Sequence, residues 1–313
     1  MRGREVAGGA EAPWRATYNP RVNASSPAEA PFAERVAALP QLGLGISTEY
    51  EAGKHGLDPL ALHRAHPELV QFLEVGADLE RGLDADARAW AQAGLPTTYH
   101  FLDVNLEEGE DLERDWTAAT VEAARSIGAA WLCGDAGLWH IGVRDLGHGV
   151  LMPPILEPES VAEMARNVRR LRRWSGMEVL PENPPAHVYL GRMHLADYFA
   201  SVAEQADCGL LLDAAHLAAY QLVTGHDPLE ALDRFPAERI VEMHVAGGRR
   251  FAHEGETFIE DDHGVAVLDE TWAIVEELIP RASNLRALVF ECERNRANEV
   301  VPTFERLAGM LAR

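Results

Sequence analysis

Cysteine is scarce in this chain. Of 313 residues only Cys133, Cys208 and Cys292 are cysteines, far apart and with no Cys-x-x-Cys pair. That argues against a disulfide framework and against a thiolate zinc site. A long apolar run is missing as well. None reaches the ~18 residues of a membrane span, so no transmembrane helix is expected. The opening stretch MRGREVAGGAEAPWRA carries charge but no apolar core of a secretory signal, and a cytoplasmic location is expected. Basic residues are few: 28 Lys and Arg stand against 50 Asp and Glu, a net charge of −22. Phosphate binding needs a basic surface, so nucleic acid is not an expected partner. The apolar share of 47 % excludes a wholly disordered chain and suffices for a sizeable core.

Residues 1–40 are rich in Ala, Pro, Gly and Ser and hold no sustained period before FAERVAALP. They are read as an N-terminal extension, partly disordered or packed outside the remaining unit, 41–313. Within that unit short apolar runs recur: LGLGI at 42–46, VQFLEV at 70–75, PTTYHF at 96–101 and AAWLC at 129–133, then MEVLPE at 177–182, CGLLLD at 208–213, RIVEMHV at 239–245 and RALVFE at 286–291. Amphipathic segments separate many of them, at 113–128, 158–176 and 269–279. In the second of these, Val161, Met164, Val168 and Leu171 recur at helical spacing, and Gly176 is a stop. Strands alternating with helices imply a parallel sheet, and eight of them imply an α/β fold of the closed (β/α)8 TIM-barrel kind.

Chemistry-capable residues fall at the C-terminal ends of these strands, which meet at one mouth in such a barrel. His100 ends the third run. Glu182 ends the fifth, followed by Asn183, and Asp213 ends the sixth, with His216 three residues on. His244 lies near the end of the seventh, Asp261 and His263 follow in its loop, and Glu291 ends the eighth. A lone His or Asp here would be ordinary, and Asp213 or Glu182 alone reads as a helix cap. The joint placement is what points to metal. Four imidazoles and four carboxylates without thiolates suit Fe(II), Mn(II) or Zn(II). Four carboxylates crowded together would have to take up protons unless cations balance them. In extended backbone Asp261 and His263 would point to the same side. Cys292 would face away from the mouth. Arg249 and Arg250, in the loop after the seventh strand, are candidates to hold a substrate carboxylate.

These motifs, in order, resemble the multinuclear non-haem iron-dependent oxidative enzymes, a barrel family that includes the methanobactin-biosynthesis oxidase. The resemblance covers about residues 41–295 and rests on LGLGISTEY, FLEV, YH at 99–100, LMPPILEPESV, PENPP, LLLDAAH, VEMHVAGG, DDHG and FECE. It implies two or three iron ions per chain. It also implies O2-dependent oxidation of a precursor peptide, commonly at cysteine, in the maturation of a ribosomally made natural product, with a partner protein presenting the peptide. Carried over by motif, His100, Glu182, Asp213, His244, Asp261, His263 and Glu291 are iron ligands, and His216 stands where many members have Asn. Asp213, His244 and Glu291 are the residues expected to be indispensable to turnover. The chain departs from the pattern at three places. Thr48-Glu49-Tyr50 replaces a stretch with His, EVGADLE lacks a following His and Asn, and Gly134-Asp135-Ala136 replaces Ser-Asp-His. Glu49, Asp135, His140 and Asn183 are therefore candidates to ligate a further ion or to support the ligands. The Asp-x-x-His, Asp-x-His and terminal Glu series also resembles the xylose isomerase and endonuclease IV superfamily. That likeness leaves open a zinc or manganese sugar isomerase, epimerase or phosphoesterase. A non-catalytic metal-binding or partner-presenting barrel is the third reading.

Overall fold

The eight apolar runs close into a cylinder because each is followed by chain long enough to cross back over its outside. In the computed structural model, which describes residues 27–48, 57–107, 112, 114–140 and 151–312, twelve strands are seen. They are β1 (Gly43–Thr48), β2 (Phe72–Ala77), β3 (Thr97–Phe101), β4 (Leu132–Asp135), β5 (Ile155–Leu156), β6 (Val179–Glu182), β7 (Leu190–Gly191), β8 (Leu210–Asp213), β9 (Ile240–Ala246), β10 (Gly248–His253), β11 (Glu256–Asp261) and β12 (Ala287–Glu291). The barrel runs β1-β2-β3-β4-β6-β8-β9-β12 and returns to β1, every pairing parallel. The α-helices among the described residues are α1 (Phe32–Ala37), α2 (Pro59–Ala65), α3 (Ala85–Gln92), α4 (Arg114–Ser126), α5 (Pro158–Ser175), α6 (Leu195–Ala206), α7 (Ala214–Thr224), α8 (Asp269–Leu278) and α9 (Ala297–Leu311). This is the (β/α)8 TIM barrel expected from the sequence. No helix among the described residues is long and apolar enough to cross a membrane.

Helix α5 shows how the local sequence sets an element. Pro158 opens it, Val161, Met164, Val168 and Leu171 are buried on one face, and Gly176 closes it in the left-handed region at φ 69°. The 248–261 segment, by contrast, is not the loop expected from sequence. It is a hairpin in which β10 pairs antiparallel with β11 and Phe251 stacks on Phe258, centroids 5.5 Å apart. Glu254 and Gly255 form its two-residue turn, both at positive φ, the geometry that matches the twist of paired strands.

Strand alternation divides the barrel interior into two halves. Toward the N-terminal strand ends, Phe72, Trp131, Leu180, Leu211, Val241, Ala287 and Val289 form a dry cluster together with Phe32 and Val36 of α1. Arg35 of α1 is buried against Glu178, at 2.7 and 3.1 Å, and Asp207 accepts the Phe32 N–H at 2.9 Å. Helix α1 thereby closes the floor. Two residues further along several of the same strands the inward position turns polar. Phe72 gives way to Glu74, Leu180 to Glu182, Leu211 to Asp213 and Val289 to Glu291. Their neighbours Leu73, Val75, Val179, Leu210, Leu212, Leu288 and Phe290 face the helices. Cys292 packs in that outer layer as well, and Cys133 lies inside the barrel.

Candidate metal centre at the barrel mouth

Register brings the strand-end residues together. Asp135 pairs with Glu182 across β4 and β6, and Asp213 with His244 across β8 and β9. His100, Asp135 and Glu182 form one buried group, and Glu182, Asp213 and His216 another, each offering donor atoms within 4.8 Å of one another. Glu182 belongs to both. Its Oε2 lies 2.7 Å from His100 Nε2, and its Oε1 lies 3.4 Å from His244 Nδ1 and 3.6 Å from His216 Nδ1. His263 Nε2 stands 3.3 Å from Asp261 Oδ2 and 3.8 Å from Glu291 Oε2. All eight residues picked out in the sequence therefore converge on this mouth.

Three of the four imidazoles are held from behind, which fixes the nitrogen they present. His244 Nε2 lies 3.0 Å from Glu74 Oε2, so Nδ1 faces the mouth, 3.3 Å from Glu291 Oε1 and 3.9 Å from Asp213 Oδ2. His216 donates from Nδ1 to the Asn183 carbonyl at 2.9 Å and turns Nε2 toward Asp261 Oδ2 at 3.1 Å and Asp213 Oδ2 at 3.8 Å. His263 Nδ1 is held by Glu293 Oε1 at 2.8 Å. A carboxylate or carbonyl behind the ring sets tautomer and orientation in metal-binding histidines.

Buried polar atoms normally find partners. Here Asp135 Oδ1, Asp213 Oδ2, His244 Nδ1, Asp261 Oδ1 and Glu291 Oε2 are buried with no hydrogen-bond partner among the described residues. Asp213 is the clearest case. Its Oδ1 caps α7 by accepting the His216 N–H at 2.6 Å, while Oδ2 is left facing the mouth. The capping role and the convergent role are thus played by different oxygens of one side chain. An oxygen and nitrogen donor set with several unpaired atoms turned inward fits divalent cations.

Charge balance gives the same answer. Burial opposes charge on each of these groups, yet His100 is pushed up to about 10 by its hydrogen bond to Glu182 and by Glu74. His216, beside Asp213 and Asp261, and His244, beside Glu74 and Glu291, are pushed well above the imidazole range against the same burial. Burial would raise Glu182 and Asp261 too, but the neighbouring imidazoles hold both well below the usual carboxylate range. Burial raises Asp213 and Asp135, and pushes Glu291 up to about 7. The mouth is short of positive charge, and protons on its histidines stand where cations would.

Other residues singled out in the sequence have different surroundings. Glu49 lies outside the described residues. Asn183 spends its side chain on the Asp213 backbone, donating to its carbonyl and accepting its N–H, both at 2.9 Å. His140 is buried after β4, where its carbonyl accepts from Asn105 at 2.9 Å, and it joins none of the close donor groups among the described residues. Arg249 and Arg250 sit on β10 rather than in a loop, paired with Glu260 and, at 2.6 Å, with Glu270. Asp261 and His263 do converge, but not through extended backbone: His263 has φ +48°, a left-handed conformation uncommon outside glycine.

Sequence reasoning missed the layer behind the mouth. Glu74, inside the FLEV motif, holds His244 and lies 3.3 Å from Cys133 Sγ. Glu242, inside VEMHV, accepts from Trp131 Nε1 at 2.6 Å, and burial beside Glu74 pushes it up to about 8. Glu293, inside FECE, holds His263. The signal was strand phase: each lies two residues from an inward-facing position.

Fold and site together define a TIM barrel with a buried metal-type donor set at the C-terminal strand ends. The chain belongs to the family described as RiPP precursor modification enzyme MbnB/TglH/ChrH, which matches residues 53–311. Among curated relatives, a UPF0276 protein of Acaryochloris marina is 26 % identical over 260 residues, covering 81 % of this chain and 88 % of that protein. A UPF0276 protein of Neisseria meningitidis serogroup B is 26 % identical over 263 residues, covering 82 % and 86 %. Solved structures share the fold. A xylose isomerase-like TIM barrel protein of Mycobacterium smegmatis, in complex with magnesium, superposes with TM-score 0.53 at 12 % identity, covering 88 % of this chain and 97 % of that one. A xylose isomerase domain containing protein of Salmonella typhimurium gives 0.55 at 14 %, covering 88 % and 99 %.

Proposed function

We propose that this protein is a cytoplasmic non-haem iron enzyme that uses O2 to oxidise a ribosomally made precursor peptide at cysteine, the peptide being presented by a partner protein. The observation that carries the reading is the shared carboxylate. Glu182 lies within ion-pair distance of His100, His216 and His244 at once, among buried acceptor atoms without partners. A cluster that shares its carboxylates in this way suits two or three ions rather than one. His100, Glu182, Asp213, His216, His244, Asp261, His263 and Glu291 would hold them, with Asp135 as a further oxygen donor. Iron, when bound, supplies Lewis acidity toward the substrate thiol and the redox capacity to use O2.

The chain's own residues prepare that chemistry. Glu74, Glu293 and the Asn183 carbonyl fix three imidazoles so that one nitrogen of each faces the mouth. The dry cluster beneath shuts water out from below. Membership of the precursor-modification family supports a peptide as substrate. The test is metal content per chain by elemental analysis, after anaerobic purification from cells supplied with iron, zinc and manganese. The next step is mass spectrometry of cysteine peptides incubated with the loaded protein and O2. Two or three irons per chain and a peptide mass shift that requires O2 are expected. Zinc or manganese without iron, and no mass shift, would refute the oxidase and favour a hydrolase or isomerase.

A further inference from the structure

A pocket of about 610 Å³ opens directly beside His216 and Asp261. Its size is in the range of small-ligand sites, ~300–1,000 Å³, and its wall is mostly apolar. Besides those two residues, the polar side chains on it are His187 and Glu260. The His187 ring rests edge-on against Phe258, 5.5 Å between centroids, and Glu260 is paired with Arg249. A sugar placed here would leave most of its hydroxyls without partners, a loss with no compensation.

The wall continues outward as an apolar ledge. Met152, Val188 and Leu190 line the pocket and are 42 %, 67 % and 60 % exposed. Ile155, 54 % exposed, is the register partner of Leu190 across β5 and β7. These four make up half of the eight large apolar side chains exposed among the described residues. Scattered apolar residues on a surface are ordinary, but a contiguous patch leading into a site marks a binding surface.

We infer that the substrate peptide carries a bulky apolar residue next to its reacting cysteine and seats that side chain in this pocket, against Val188 and Leu190. This rests on the peptide-oxidase reading above. The probes are two fluorescein-labelled pentapeptide amides, Gly-Leu-Cys-Leu-Gly and Gly-Asp-Cys-Asp-Gly, titrated by anisotropy against the iron-loaded full chain without O2. The leucine peptide should bind at least about tenfold more tightly, as expected for burial of one apolar side chain. Val188→Asp and Leu190→Asp, both at exposed positions away from the donor set, should abolish that preference with iron content unchanged. Equal affinities in the unmodified chain, or a full preference retained in both variants, would overturn the inference. In air, the same peptides separate the two readings. Tight binding of the leucine peptide without oxidation removes the oxidase and leaves the pocket. Oxidation of both peptides with equal KM removes the pocket and leaves the oxidase.

Discussion

Glu74 offers the sharpest test of how the centre is built, because it is predicted to act without touching metal. Its Oε2 lies 3.0 Å from His244 Nε2, which leaves Nδ1 as the nitrogen turned toward Glu182, Asp213 and Glu291. Replacing Glu74 by Ala removes that anchor and frees the ring to take either tautomer or to rotate. Losing a partner behind a metal-binding histidine typically costs ~10–100-fold in affinity, or about 1.4–2.8 kcal/mol at 1.4 kcal/mol per decade. Glu74→Gln keeps a carbonyl oxygen that still accepts from Nε2, so most of the affinity should survive. The assay is chelator competition with Mn(II) or Fe(II) under anaerobic conditions at neutral pH, with thermal unfolding recorded on the same samples. A lower Tm with unchanged affinity would reduce Glu74 to a packing role. A loss beyond about a thousandfold, well past that range, would instead place Glu74 among the ligands and refute the positioning argument.

The other expectations can be checked on the same preparations. Asp213→Ala, His244→Ala and Glu291→Ala should each lower the metal content per chain by at least one ion and abolish peptide turnover. Full occupancy with normal activity would remove the residue from the centre. Chelation should lower the Tm, since a ligand held at a hundred times its Kd stabilises the folded state by about 2.7 kcal/mol. A scan that does not move on chelation would contradict a structural contribution from the metal. At the barrel floor, burial works against the charge of Asp207, but its bonds from Arg239 and the Phe32 N–H, with Arg35 nearby, hold its carboxyl below the usual value. A depressed carboxylate stabilises the fold above its unfolded pKa, about 4, and loses that contribution as pH falls through the lower folded value. Asp207→Asn should therefore cost no more than about 1 kcal/mol of stability at pH 7 for a half-exposed group, read as a slightly lower Tm, and the gap should close in acid. A gap that widened below pH 4 would reverse the sign of the argument.

The barrel was legible because its signal is repeated. Eight apolar runs of strand length each end near a polar residue, and a shift of a few residues in any one does not change the count. The strand in the 129–133 run, for instance, begins only at Leu132. The mouth was legible for the same reason, since Glu182, Asp213 and Glu291 close their strands and His100 is the last residue but one of its own. What escaped was anything that depends on phase inside a strand. Glu74 and Glu242 lie inside β2 and β9 rather than at the strand ends, where the sequence reading looked for donors. The β10–β11 hairpin escaped because its pairing is carried by a local turn at Glu254-Gly255 and one cross-strand aromatic pair, both faint beside the helix and strand pattern. The pocket was out of reach altogether, being assembled from the ends of elements more than a hundred residues apart.

The layering of the interior explains how one barrel tolerates such a concentration of acid. Buried carboxylates without cations destabilise a fold, and this mouth gathers Asp135, Glu182, Asp213, Asp261 and Glu291, with Glu74 directly behind it. The opposite end of the same cylinder compensates with an uninterrupted apolar cluster, sealed by Phe32 and Val36 and pinned by the buried Arg35–Glu178 pair. Strands β6 and β8 each contribute one apolar inward side chain to the floor and one carboxylate to the mouth, so the two halves are built from the same backbone segments. Loosening the floor should therefore be felt at the mouth. Phe32→Ala removes an aromatic ring from the cluster and should cost about 3–5 kcal/mol of stability. It should also weaken metal binding in the chelator assay, since the strands that carry Glu182 and Asp213 rest on that ring's neighbours Leu180 and Leu211. If Phe32→Ala destabilised the fold by that amount and left the metal affinity untouched, the floor and the mouth would be energetically independent, and the layering would be a coincidence of packing.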